Sequence, residues 1–199
     1  MVMLDKFEIL IFLIVKKMGE KKIEIIQIGN PVLRQVAKKV VDIKIDKIET
    51  IVSGLTKVML ENDLIGIAAP QIGVSERIFL TQLRTTRARK KVKSNEKNEL
   101  KVFINPEIVG FSEELVEMWE GCGSVAESNF FVPVIRPKFV SVRAFDKNGR
   151  EFTITTDGLL ARVIQHEFDH LEGILFIDRL CDFARAMSAG EYYKMVKNK

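Results

Sequence analysis

The sequence predicts an α+β fold in which antiparallel β-sheets pack around one central helix, with a further helix at the C-terminus. Short apolar segments separated by turn residues dominate the chain before residue 157, and this pattern is typical of strands. Residues 159–171 are apolar on most sides of a helix, which indicates burial. A chain of 199 residues can bury one substantial core. We therefore expect a single domain over residues 1–199, with residues 1–18 as a candidate N-terminal extension.

The composition is that of an ordinary globular protein, with 47% hydrophobic and 29% charged residues and a net charge of +4. Two cysteines, Cys122 and Cys181, are too few for a disulfide framework and favour a reducing compartment. The apolar run at residues 7–15 is far shorter than the roughly 20 residues that a membrane-spanning helix needs. We interpret this run as a short added strand or helix, or as the product of a start codon upstream of a natural start at Met18.

Apolar spacing and turn residues define the segments of the first half of the chain. Residues 23–28 are predicted to be a strand, which the following Gly-Asn-Pro turn ends. Apolar residues at helical spacing predict an amphipathic helix over residues 47–61, with Asp46 as its N-cap. Residues 77–83 are predicted to be a strand. The basic stretch 84–101 is predicted to be an exposed loop, because no apolar periodicity runs through it.

The second half is predicted to contain two hairpins, the buried helix, a brief strand and the terminal helix. Their ranges are, in order, 107–111 with 115–119, 138–145 with 151–156, 157–173, 174–177 and 182–197. The Asn-Gly pair in the second hairpin favours a tight turn between its strands. Gly173 favours the end of the buried helix, because glycine readily takes the left-handed conformation found there.

The most informative segment is Gln-His-Glu-Phe-Asp-His at residues 165–170, which contains both histidines of the chain. His166 and His170 are four residues apart, so they lie on the same face of a helix. Two imidazoles placed in this way can bind one metal ion, and Glu167 lies beside them, where it can reach a water molecule on that ion. The pattern is typical of metal-dependent hydrolases.

A catalytic metal site of this kind needs a third protein ligand. No histidine follows the helix, but Cys122 lies upstream in a Gly-Cys-Gly turn, where the glycines leave its thiol accessible. A thiolate is a strong ligand for iron(II) or zinc; the alternative is a buried, inert cysteine. Gln71 is a candidate site residue of another kind, because it alone in the stretch 64–73 has a side-chain amide that can both donate and accept hydrogen bonds. A simple turn of small residues explains that stretch as well.

Three stretches, GIAAPQIG, EGCGS and QHEFDHLEG, occur in this order and resemble the motifs of peptide deformylases. The opening IIQIGNPVLR and the later LFIDRL are also similar to that family, so the resemblance covers residues 23–180. It implies a catalytic domain that removes the formyl group from the N-terminal methionine of new protein chains and releases formate. The rival interpretations are an ordinary zinc peptidase and a metal-binding relative with little or no activity.

The resemblance also implies a metal centre and a route for the proton. Cys122, His166 and His170 would bind one divalent metal ion, Fe(II) by likeness to the family, with Zn(II), Ni(II) or Co(II) as alternatives. The ion would lower the pKa of a water molecule towards about 7. Glu167 would take the proton of that water and pass it to the leaving amine.

A second group of residues would bind the substrate. The resemblance implies that the Gln71 side chain and the backbone N–H of Gly123 stabilise the oxyanion. Five positions match the family's methionine pocket or its contact with the peptide backbone: Ile65, Gly66, Met118, Leu159 and Val163. Three positions depart from the family's pattern, which usually has glycine at Leu64, leucine at Gly123 and, in many members, arginine at Asn129. The departures concern substrate placement and turnover more than the metal.

The expected partners follow from the same resemblance. The substrates would be N-formylmethionyl nascent peptides, and the basic stretch 84–101 could contact the ribosome. Neither DNA nor a membrane is an expected partner. We expect a monomer in the cytoplasm of a bacterium.

Overall fold

The computed structural model describes residues 23–41, 45–89, 99–180 and 182–197. The apolar run at residues 7–15 and Cys181 lie outside these ranges. The helices and strands are α1 (Ile45–Glu61), β1 (Gly66–Ala68), β2 (Ile78–Thr81), β3 (Lys101–Phe111), β4 (Leu115–Glu120), β5 (Phe130–Pro137), β6 (Phe139–Phe145), β7 (Glu151–Asp157), α2 (Gly158–Leu171), β8 (Met187–Ser188) and α3 (Ala189–Lys197). Within the described ranges, every helix is too short or too polar to cross a membrane.

The strands form two antiparallel sheets, which confirms the predicted α+β fold. One sheet has five strands in the order β1-β2-β3-β6-β7, and the other has three in the order β4-β5-β8. The predicted second hairpin is confirmed, because β6 and β7 pair along their whole length from Phe139 opposite Asp157 to Phe145 opposite Glu151.

The predicted first hairpin is wrong, although both of its strands exist. Strand β3 has β2 along one edge and β6 along the other, so no edge remains for β4. Strand β4 instead pairs with β5, with Met118 opposite Val134. The chain therefore changes sheets between Phe111 and Leu115, and the alternation of apolar residues within each strand does not reveal this change.

Helix α2 packs against the five-stranded sheet, so the predicted central position of this helix is confirmed among the described residues. Ala161, Ile164 and Leu171 are buried against a cluster that includes Phe79 and Phe103 from two neighbouring strands. The two phenylalanine rings stack with their centroids 4.5 Å apart. Burial of such apolar side chains stabilises the fold by about 1.5–3 kcal/mol each. One face of α2 is thus held against the five-stranded sheet, and residues on the rest of its surface can form a site.

Three predictions for the first half of the chain need correction. Residues 23–28 form no strand; they run as a segment whose backbone donates hydrogen bonds to Gln71 and Ser124 in two separate parts of the chain. Helix α1 begins at Ile45, so Asp46 lies inside its first turn rather than at the N-cap. Of the predicted exposed loop 84–101, residues 90–98 lie outside the described ranges. Residues 84–89 are only partly exposed, because the Arg84 guanidinium donates to the carbonyl oxygen of Leu64 at 2.9 Å and Thr86 is buried.

Two predictions for the C-terminal part are also wrong. Residues 174–177 are not a strand, because a 3-10 turn over Phe176–Arg179 replaces it. The Asp178 carboxylate accepts from the N–H of Leu175 and stabilises the start of that turn. The terminal helix begins only at Ala189, because Asp182 caps a separate 3-10 turn and β8 then pairs with β5.

Candidate metal centre and its cavity

Helix α2 and the loop after β4 bring three potential metal ligands together. The ligand atoms of Cys122, His166 and His170 all lie within 4.8 Å of one another. The Cys122 Sγ is 3.2 Å from the His170 Nε2, and the two imidazole centroids are 5.1 Å apart. One thiolate and two imidazoles form a donor set that suits zinc or iron(II). The chain's own residues therefore fit a single divalent cation.

Glu120, the last residue of β4, holds His166 in place. Its Oε2 lies 2.9 Å from the His166 Nδ1, so this nitrogen donates to the carboxylate and Nε2 is left to face Cys122. Burial opposes ionisation of Glu120, but hydrogen bonds from His166 and Arg136 hold the pKa of its carboxyl well below the usual range. Glu120 is therefore an anion at neutral pH, and it fixes the tautomer of the imidazole.

Two buried arginines balance the charge of Glu120. Arg136 binds it with Nε and Nη2 at 2.7 and 2.9 Å, and Arg162 donates to the same carboxylate at 2.8 Å. Arg136 also reaches Asp169 of α2 at 2.6 Å, and Asp169 in turn binds Arg179. This buried ionic network joins the histidine helix to the three-stranded sheet.

The two imidazoles differ in the pKa that their surroundings produce. Burial lowers the pKa of His166, but hydrogen bonds with Cys122 and Glu120 outweigh it and raise that pKa well above its ordinary value. Burial and the neighbouring His166 lower the pKa of His170. His170 is therefore neutral and ready to donate its lone pair, and His166 releases its proton when it binds a cation.

Glu167 is buried beside the histidines with little to stabilise its charge. It is 4% exposed, and its Oε2 has no hydrogen-bond partner among the described residues. Burial raises the pKa of its carboxyl to about 7. A carboxyl with this pKa can both accept and return a proton near neutral pH.

Gly66 of β1 leaves room for the Glu167 carboxylate. A Cβ at this position would meet the Glu167 side chain and would lie 2.6 Å from Val163 Cγ1. Any larger residue would displace the carboxylate or the helix side chain. The need for glycine here arises from the close approach of β1 to α2, which the sequence alone does not show.

Gln71 is buried next to Cys122. Its Oε1 accepts from the N–H of Ala68 at 2.8 Å, so its Nε2 points towards Cys122 Sγ at 3.5 Å and Ser124 Oγ at 3.2 Å. Gly123 follows the cysteine and is also buried. The structure therefore places both predicted oxyanion donors in the neighbourhood of the metal ligands.

A cavity of about 230 Å³ opens onto these groups. Three of the predicted substrate residues, Ile65, Gly66 and Val163, line it. Leu159 packs behind Ile65 and Val163 in the same apolar cluster. Met118 is half-buried in β4 and is not among the described residues that line the cavity. The structure thus brings four of the five positions to one side of the site.

Several residues that line the cavity were not predicted from the sequence as site residues. One side of the cavity is lined by residues from the basic stretch, β5 and α3: Ala88, Arg89, Phe131 and Tyr193. Phe131 also stacks on Tyr192, with ring centroids 4.2 Å apart. Glu120, Arg136, Arg162 and Asp169 were missed as well. Glu120 adjoins the Gly-Cys-Gly turn and Asp169 lies between the histidines, but only the fold shows their arginine partners.

Comparison with known proteins agrees with this geometry. A family model described as polypeptide deformylase matches residues 22–186. The chain belongs to this family. A peptide deformylase of Treponema pallidum (strain Nichols) is 37% identical over 153 residues, which cover 77% of this chain and 85% of the relative. Peptide deformylase 2 of Nostoc sp. is 37% identical over 179 residues, which cover 90% of this chain and 97% of that one.

Solved structures of deformylases share the fold. The peptide deformylase of Synechococcus elongatus in complex with actinonin superposes with a TM-score of 0.72 at 32% identity, and the match covers 91% of this chain and 87% of that one. The deformylase of Thermotoga maritima gives a TM-score of 0.69 at 34% identity over 82% of this chain and all of the other. The predicted family resemblance is confirmed.

Proposed function

We propose that this protein is a metal-dependent amide hydrolase that removes the formyl group from the N-terminal methionine of newly synthesised proteins and releases formate. The observation that carries the proposal is the meeting of Cys122, His166 and His170 within 4.8 Å beside the buried Glu167. The chain's membership of the deformylase family supports the same reaction.

Cys122, His166 and His170 hold one divalent metal ion in this proposal. Such an ion would act as a Lewis acid and lower the pKa of a water molecule towards about 7. Glu120 keeps the His166 ring oriented for binding through its 2.9 Å contact with Nδ1. We expect Fe(II) as the native ion from the likeness to the deformylase family. Zn(II), Ni(II) or Co(II) are expected substitutes, because a thiolate and two imidazoles accept all four ions.

Glu167 moves the proton in the proposed reaction. Its carboxylate takes a proton from the attacking water and later gives it to the nitrogen of the departing methionine. The raised pKa, about 7, suits both steps, because the group exchanges protons readily at neutral pH. The absence of a side chain at Gly66 leaves room for the carboxylate at the wall of the cavity in which the substrate would bind.

The oxyanion forms on the formyl oxygen and is stabilised by two donors. One is the Gln71 side chain, whose Nε2 already points towards Cys122. The other is the backbone N–H of Gly123. Losing one such donor typically lowers the rate by about 10²–10³-fold. Ile65, Val163 and the Leu159 behind them would receive the apolar methionine side chain, with Gly66 against the peptide backbone.

The cellular setting is a further part of the proposal. We expect the enzyme to act as a monomer in a bacterial cytoplasm, on formylated chains as they leave the ribosome. The half-buried Arg89 at the rim of the cavity and the exposed Arg87 support contact with anionic groups near the substrate. Neither DNA nor a membrane is expected as a partner.

Formate release from formyl-Met-Ala-Ser tests the proposed function. The protein is purified without oxygen and loaded with Fe(II) or Ni(II), and formate and new free amine are measured together. We expect one formate for each amine, and no product from acetyl-Met-Ala-Ser. Metal-loaded protein that releases no formate would exclude the function, whereas cleavage of internal peptide bonds would indicate a zinc peptidase.

A further inference from the structure

The loop after Cys122 contains a run of unusual backbone conformations. Ala126, Glu127 and Ser128 have φ angles of 48°, 52° and 64°. Non-glycine residues seldom occupy this left-handed region, and such residues persist only where the surrounding structure holds them. The loop begins with a metal ligand and ends at the cavity, so its shape bears directly on the site.

The Gln27 side chain bonds to both halves of this loop. Its Nε2 donates to the carbonyl oxygen of Gly123 at 2.8 Å and to that of Ile25 at 3.2 Å. Its Oε1 accepts from the backbone N–H of Glu127 at 3.1 Å. One half-buried amide therefore fixes the residue next to the metal ligand and the middle residue of the left-handed run.

The backbone on either side of Gln27 bonds to Gln71, one proposed oxyanion donor, and to Ser124, the residue after the other proposed donor, Gly123. The N–H of Ile26 donates to the carbonyl oxygen of Gln71 at 2.9 Å, and the N–H of Ile28 donates to that of Ser124 at 2.7 Å. The segment 23–28 thus connects two parts of the site that lie far apart in sequence. It forms no strand with either, so these individual contacts provide the connection.

Gly123 depends on such outside support. It has no side chain with which to pack, and glycine has more backbone freedom than any other residue. Ile25 Cδ1 and Leu64 Cδ1 lie 3.0 and 3.2 Å from the point where a Cβ would be. Residues from elsewhere in the chain therefore occupy the space beside Gly123, and Gln27 holds its carbonyl.

We propose that Gln27 is a positioning residue of the reaction, which holds the loop from Cys122 to Asn129 so that the Gly123 N–H points at the oxyanion. The inference rests on the proposed function. Gln27 touches no substrate; it acts through the backbone of Gly123 and Glu127. Loss of its hydrogen bonds leaves the metal ligands in place but lets the oxyanion donor move.

Gln27→Ala tests the proposal through separate measurements of kcat, KM and metal content. We expect kcat to fall about 10-fold, a part of the 10²–10³-fold that complete loss of an oxyanion donor costs. KM for formyl-Met-Ala-Ser and the metal content per chain should stay within about twofold, because neither the apolar pocket nor the ligands change. The exposed Gln35 supplies the matched control, and Gln35→Ala should leave kcat unchanged.

Gln27→Glu separates positioning from loop stability. The carboxylate has the same size and can still accept from the Glu127 N–H, but it cannot donate to the Gly123 carbonyl. We expect kcat to fall at least as far as in Gln27→Ala. Wild-type kcat in either variant, measured well below its melting temperature, would overturn the proposal. A wild-type protein that releases no formate in the same assay would instead count against the proposed function itself.

Discussion

The two sides of the site are built in different ways. On the helix side, His166, Glu167 and His170 project from one regular helix, and a buried ionic network anchors that helix. On the loop side, the proposed oxyanion donor is the backbone N–H of Gly123, and hydrogen bonds from a distant segment hold its loop. Helical spacing brings the side chains of the helix side together directly, whereas a backbone donor in a loop depends on contacts from distant parts of the chain.

Cys122→Ala should produce the largest effect, because it removes the ligand that the loop side contributes. Two imidazoles alone bind a divalent ion more weakly than a three-ligand site does. We expect the metal content after gel filtration to fall well below one ion per chain, and activity to fall with it. A variant that keeps its full metal content would show that the proposed third ligand is wrong.

Glu167→Gln tests the helix side without removing a ligand. The amide keeps the size of the side chain but cannot take a proton, so kcat should fall by about 10²–10⁴-fold. Metal content should equal that of the wild type, as measured by elemental analysis. Glu191→Gln, at an exposed position of α3, is the control and should retain full activity. Full turnover by Glu167→Gln would remove this residue from the mechanism.

Glu120→Gln tests the ionic network that anchors the helix side. The change leaves Arg136 and Arg162 without their shared anion in a buried site, and breaking such a network typically costs about 3–5 kcal/mol. The free energy of unfolding is measured with urea on metal-free protein. Glu117→Gln on the same strand is the matched control, because Glu117 is exposed and should matter far less. Equal effects of the two substitutions would contradict the role of the network.

The stability difference between the wild type and Glu120→Gln should depend on pH. The folded state lowers the pKa of Glu120 from the ordinary value of 4.5, so its contribution to stability is fully present above pH 4.5 and is lost as the pH falls further. The difference in unfolding free energy between the wild type and Glu120→Gln should therefore narrow as the pH is lowered from 6 towards 3. A difference that stays constant over this range would contradict the lowered pKa.

Gly123→Ala should produce the smallest decrease in kcat, and it tests how much displacement the loop side of the site tolerates. The added methyl group would lie 3.0 Å from Ile25 Cδ1 and 3.2 Å from Leu64 Cδ1, so its neighbours must shift by a few tenths of an ångström. The backbone N–H remains, and we expect kcat to fall by less than about 10-fold, well short of the cost of a lost donor. The steady-state rate of formate release at saturating formyl-Met-Ala-Ser gives the kcat of the variant and of the wild type. A loss as large as 100-fold would show that the loop tolerates no displacement.

The difference between the two sides also explains what could be predicted from the sequence. The spacing of His166 and His170 and the neighbouring Glu167 indicated a metal hydrolase, because an α-helix converts spacing directly into geometry. Ligand chemistry made Cys122 a candidate and a side-chain amide singled out Gln71, whereas the resemblance to deformylases gave Gln71 its role and added Gly123. The structure places all three near the histidines. The contacts of Gln27 could not be predicted, because its partners Gly123 and Glu127 lie 96 and 100 residues away in the sequence and no local pattern links them.

Other errors have a similar origin. The strands over residues 107–111 and 115–119 were recognised, but their pairing was not, because pairing depends on which edges the rest of the sheet leaves open. The partners of Glu120 are separated from it by 16 residues for Arg136 and 42 for Arg162. Buried ion pairs of this kind depend on tertiary contacts and have no local pattern.

The most direct test of the central claim compares wild type and Glu167→Gln at equal metal content. Both proteins are loaded with Ni(II) and mixed with formyl-Met-Ala-Ser, and formate is quantified over time. We predict one formate for each free amine from the wild type, and a rate about 10²–10⁴-fold lower from the variant. Equal rates from the two proteins, or no formate from a fully loaded wild type, would contradict the assignment.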